Sequence, residues 1–113
     1  MASANKVILL GRIGQQPDIR LLPSGKKVCT ISLATSRTFK NEQNQKVEET
    51  TWHRVTFFGR AAEIIEQFTG TGSQIYVEGH IKNDKWEDQN GQTRYSTQII
   101  GETLQLLGSN TRR

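Results

Sequence analysis

Along this chain of 113 residues the spacing of apolar side chains changes character only once. Nearly everywhere it repeats every second residue, which is the period of a strand with one buried face; at 60–68 it becomes Ala61, Ile64, Ile65 and Phe68, the i, i+3, i+4, i+7 pattern of a single short helix. Before that helix lie three extended segments. The first, at 5–12, carries Val7, Ile8, Leu9 and Leu10, with Gly11 and Gly14 marking a bulge or bend. The second, at 27–39, alternates Cys29, Ile31 and Leu33 with Val28, Thr30, Ser32 and Ala34. The third, at 50–58, sets Trp52, Arg54, Thr56 and Phe58 on one face and His53, Val55 and Phe57 on the other. Between the second and third, residues 40–49 lack apolar period and read as an exposed loop or hairpin tip. After Gly70 and Gly72, residues 73–82 form a fourth strand interrupted by Gly79, and Asn90-Gly91 predicts a type I′ reversal from a ribbon near 85–87 into a fifth strand at 93–107. Three strands, one helix and two strands leave exposed sheet edges, which so short a chain removes by rolling into a five-stranded Greek-key barrel, an all-β fold.

The size is that of one domain, assigned to residues 1–108 with a short polar and basic tail at 109–113. A lone Cys29 excludes an internal disulfide. With only His53 and His80 beside it, no metal centre and no cofactor is expected. The apolar run at 7–10 is too short for a membrane span or a signal-peptide core, so a reducing cytoplasm is the expected setting. The net charge of +4 is unevenly placed: residues 1–41 hold seven cations and one acid, net +6, and the remainder is net −2. A basic third of this kind suits a nucleic acid, an acidic lipid surface or a solvated exterior.

A more selective feature is the pairing of rings with cations. Phe39 has Arg37 and Lys40 as neighbours, Trp52 and Phe58 have Arg54 and Arg60, and Trp86 has Lys82 and Lys85. Unpaired bases offer flat apolar faces and the intervening phosphates attract Lys and Arg, so alternating the two side-chain types follows a single strand of nucleic acid. Trp86 sits among Asn83, Asp84, Lys85, Glu87, Asp88 and Gln89, with little core to join. Phe57, Phe68 and Tyr95 are assigned to the core. No enzyme is expected: His53 has no nucleophile elbow, metal cluster, phosphate loop or paired carboxylates with it, and its strand parity sets it opposite Trp52 and Phe58.

Four segments in order, NKVILLGRIGQQPD from position 5, TWHRVTFFGR from 51, GSQIYVEG from 72 and KWEDQNGQ from 85, resemble the bacterial single-stranded DNA-binding protein family over nearly the whole chain. The resemblance implies an OB-fold with an extended hairpin between its last two strands. It also implies a homotetramer that coats and protects single strands in replication, recombination and repair, in the nucleoid-associated cytoplasm. Carried over by position, Phe39, Trp52, Phe58 and Trp86 would stack on bases and Lys6, Arg20, Arg60, Lys82 and Lys85 would contact phosphates. His53 would lie at a subunit interface, and Gln74, Tyr76 and Gln105 would form contacts between dimers. The departures are Phe39 where tryptophan is common, and Thr71 and Asp84 where a base is common; these would thin the electrostatic track. The family's long tail with an acidic tip does not follow position 113, so recruitment of replication and repair proteins is expected only where such a tail exists. An RNA-binding or primosome-type adaptor of the same fold is the alternative function, since nothing in the sequence reads a ribose 2′-hydroxyl.

Overall fold

The computed structural model describes residues 2–107; the tail assigned to 109–113 lies outside them. Among the described residues are six strands and one helix: β1 (Val7–Ile13), β2 (Asp18–Leu21), β3 (Lys27–Lys40), β4 (Lys46–Phe58), α1 (Arg60–Phe68), β5 (Gln74–Glu87) and β6 (Thr93–Leu107). The expected order holds with one addition. β2 pairs with β3, Asp18 opposite Thr30 and Leu21 opposite Lys27. Pro17 and Pro23 bracket this strand and only Ile19 packs on the core, so it lacks a readable period.

The strands run β1–β5–β6–β4–β3, and β3 returns to β1 through Arg12 opposite Ala34 and Ile13 opposite Leu33. The junction of β4 with β6 is parallel, Val55 opposite Ile99 and Thr56 opposite Ile100. A five-stranded barrel closed in this order, with its helix between the third and fourth barrel strands, is an OB-fold. β2 lies outside the ring.

Period two decides what fills it. Ile13, Cys29, Ile31, Leu33, Val55, Phe57, Ile75, Val77 and Ile99 point inward and are buried, and α1 adds Ala62 and Ile65 at one end. Burial pushes the Cys29 thiol up to about 11. Close packing also fixes two glycines: a Cβ at Gly11 would strike the Ala34 carbonyl, and one at Gly79 the Ile100 carbonyl, beside the bulge after Glu78.

Two aromatic assignments are corrected. Phe68 is 67% exposed. Successive steps of three residues drift about 60° around a helix, so a face that buries Ala62 and Ile65 has turned away by Phe68. Tyr95 is 69% exposed, because that part of β6 pairs with β5 alone and no second layer covers it.

Both long hairpins extend past the barrel. The β3–β4 ladder continues to Lys40 opposite Lys46, so residues 46–49, expected in a loop, are strand. The β5–β6 ladder reaches Glu87 opposite Thr93, whereas β1 stops at Val7 opposite Gly79. The β2–β3 turn and both long hairpins reverse alike. The amide N–H groups of Gly25, Asn44 and Gly91 donate to the carbonyls three residues before, at 2.8, 3.0 and 3.1 Å. All three residues have positive φ. This is a type I turn closed by one left-handed residue, and it replaces the predicted type I′ turn at Asn90-Gly91, where Gly91 alone is left-handed. Asp88 enforces it: one carboxylate oxygen accepts the N–H groups of Asn90 and Gln92, both at 2.9 Å. These hydrogen bonds, that to Gln92 first, then Arg94, hold its pKa below the usual carboxylate value.

Candidate nucleic-acid interface

Alternation on β4 turns Trp52, Arg54 and Phe58 to the outside, with the two rings 58% and 41% exposed, while His53, Val55 and Phe57 face inward. Their cross-strand neighbours on β3 are Ala34, Ser32 and Val28, too small to cover them. β2 adds Arg20 opposite Val28, which puts this cation and Phe58 on either side of one small residue. Trp52 rests on Gly14, where any Cβ would enter its ring. A recess of about 350 Å³, lined by Gln15, Gln16, Asp18, Thr30, Ser32 and Arg54, lies beside this row.

Hydrogen bonds tie the face across three strands. The Thr56 hydroxyl donates to the Gln98 carbonyl oxygen, and the Gln98 amide donates to Asp84 at 2.7 Å. In the β5–β6 register Lys82 stands opposite Gln98 and Trp86 opposite Arg94, on that same outer side. Trp86 is 52% exposed. Arg94 is held by Asp88 at 2.9 Å. Two cations thus join the face that were not assigned as phosphate contacts. Arg54 was signalled by its alternation with Trp52 and Phe58; Arg94 is found only through its register with Trp86.

Other assigned residues are placed differently. Phe39 has the strand parity of Cys29, Ile31 and Leu33, so it lies on the hairpin face opposite to that of Trp52. The Arg37 guanidinium sits 4.7 Å from its ring centroid and is itself paired to Glu49. Lys85 lies on the face of the β5–β6 ribbon opposite to Trp86. Lys6, Arg20 and Lys82 are paired to Glu78, Asp18 and Asp84 at 3.1, 3.4 and 3.7 Å. Arg54, Arg60 and Lys85 form no ion pair among the described residues.

The assigned self-contacts fall into two places. Tyr76 stands opposite Leu10 on β1 and Gln105 on β6, and Gln74 is one pleat away opposite Arg12 and Leu107. Ile8 and Leu10 share that face and are more than half exposed. The Tyr76 hydroxyl donates to Glu78, which raises its own pKa and, together with Lys6, lowers that of Glu78. His53 lies apart, opposite Leu33, with Nε2 2.8 Å from the Thr35 hydroxyl. Burial lowers its pKa, which favours the neutral ring.

A closed OB barrel whose outer face sets exposed rings among arginines defines a nucleic-acid-binding protein of the stacking-platform kind. The chain belongs to the single-strand binding protein family, whose model matches residues 4–107. It is similar to the SSB of Plasmodium falciparum, solved in complex with ssDNA, at 33% identity and a TM-score of 0.88, covering 96% of this chain and 98% of that one. It is also similar to a deletion mutant of the single-stranded DNA binding protein from Thermus aquaticus, at 30% identity and a TM-score of 0.83, covering 93% of this chain and 51% of that one. The chain therefore spans about half the length of the Thermus protein.

Proposed function

We propose that this protein binds single-stranded DNA irrespective of sequence and coats it during replication, recombination and repair, catalysing no reaction. One observation carries the reading: Trp52, Arg54 and Phe58 stand exposed along a single strand face around a buried Thr56, with Trp86 on the ribbon beyond. Stacking is sequence-tolerant because every base has a π-face, and it contributes about 1–3 kcal/mol per base. A duplex hides those faces. Phe39 joins as a platform when a base takes the ring side not covered by Arg37, while Arg54, Arg60 and Lys85 offer charge to phosphates with no carboxylate to displace.

The protein works as a homotetramer in the nucleoid-associated cytoplasm, and the exposed Ile8 and Leu10 with Tyr76, Gln74 and Gln105 supply one self-contact. His53, partly buried beside Thr35, is assigned to a second self-contact. Tryptophan fluorescence titrated with oligo-dT, oligo-U and duplex DNA tests the reading, since Trp52 and Trp86 report stacking. Quenching by oligo-dT at concentrations far below those required for duplex is expected. Equal affinity for duplex overturns it, and preference for oligo-U assigns the face to RNA. Light scattering at several concentrations tests the tetramer.

A further inference from the structure

We infer that the β5–β6 ribbon binds single-stranded DNA on both of its faces, with Tyr95 as a stacking platform and Lys85 as its phosphate partner on the side away from Trp86. The inference rests on the single-strand reading above. Register places Lys85 directly across from Tyr95, and Trp86 directly across from Arg94. Successive residues of a strand point to opposite faces, so each side of the ribbon carries one ring opposite one cation. Tyr95 is the most exposed aromatic described, at 69%, and its side chain takes part in no hydrogen bond among the described residues. Lys85 forms no ion pair among them either. On the Trp86 side Arg94 is held by Asp88 and Lys82 by Asp84, whereas Lys85 shares its side of β5 with Glu87 and is not paired to it.

Past Val7 opposite Gly79 and Val55 opposite Ile99, neither β1 nor β4 accompanies the ribbon, which leaves both of its faces open. A recess of about 250 Å³ lined by Lys85, Trp86, Glu87 and Thr93 opens at its edge and joins residues of both faces. One segment of strand cannot lie flat on Trp86 and Tyr95 at once. Tyr95 therefore meets a second segment, which has either rounded this edge or returned from elsewhere on the molecule, and its contribution depends on strand length.

The test compares wild type, Tyr95→Ala, Tyr95→Phe and Trp86→Ala on a short and a long oligo-dT, with a thermal melt of each protein. A further sample is irradiated with halogenated-uracil DNA and its peptides are mapped. Tyr95→Ala is expected to weaken long-strand binding roughly 5- to 150-fold, the span of one lost stacking contact, and to change short-strand binding little. Tyr95→Phe keeps the ring and retains affinity, and the crosslinked peptide contains Tyr95. Wild-type protein that fails to bind single strands removes the underlying reading. Normal binding by wild type and Tyr95→Ala alike, without a crosslink at Tyr95, overturns this inference alone. A lowered melting temperature or altered oligomer without a crosslink also overturns it, assigning Tyr95 to packing or self-contact.

Discussion

At Trp86 binding and folding come apart. Half of its surface is exposed, on a ribbon with no layer beneath it, so Trp86→Ala is expected to cost about 1–3 kcal/mol of single-strand affinity with an unchanged urea midpoint. Gly14 gives a subtler version of the same separation. A methyl group there meets the edge of the Trp52 ring, a movable side chain and not backbone. Gly14→Ala should therefore displace Trp52, shift its emission and weaken binding by less than removal of the ring, while the barrel stays folded. His53 carries the pH dependence. Its folded pKa is lowered from a free value near 6.5, so the unfolded chain takes up the proton first. Stability is complete above pH ~6.5 and declines as pH falls toward the lowered folded value. Urea midpoints at pH 7.5 and 5.5 should differ less in His53→Gln than in wild type. At this scale the sequence was informative wherever a ring alternated with cations on one strand. It misled at Phe68 and Tyr95, because an aromatic at a core-like spacing is buried only if another element lies over it.

The strands themselves were legible because each barrel strand buries one face, and burial on one face writes period two into the chain. Helix α1 was legible for the equivalent reason. β2 was not, since a strand appended outside the ring has little to bury. Nor was the extent of the hairpins: residues 46–49 are polar because they stand in solvent, whether paired or looped. The parity of Phe39 relative to Trp52 was hidden for the same reason, because it depends on the Phe39–Val47 register and on a turn of five residues, 41–45. Closure of the barrel makes its own demand. Gly79 stands beside the bulge of β6 at Glu102 and against the Ile100 carbonyl, which cannot swing aside as a side chain does. Gly79→Ala is expected to destabilise the fold by about 1–3 kcal/mol, measured by urea denaturation.

For the molecule as a whole, the ion pairs temper the electrostatic expectation. Five phosphate contacts would give a log–log salt slope near −3.5, at about 0.7 per contact on a single strand. Three assigned cations already face carboxylates, and the three cations of the site without such partners, Arg54, Arg60 and Lys85, give a slope near −2 by the same rule. Titration in increasing salt distinguishes the two values; a slope near −3.5 means that at least two of Lys6, Arg20 and Lys82 leave their carboxylates when DNA binds. The two projecting ribbons have one more consequence. Past the barrel, their outer backbone N–H and C=O groups have no sheet neighbour, a geometry that invites a strand of another molecule to add itself. Lys40, Lys46, Glu48, Asp84 and Glu87 stand along those lengths. The charges that mix signs around the rings therefore also act as guards against aggregation, and a variant neutralised there to sharpen DNA affinity would trade solubility for it.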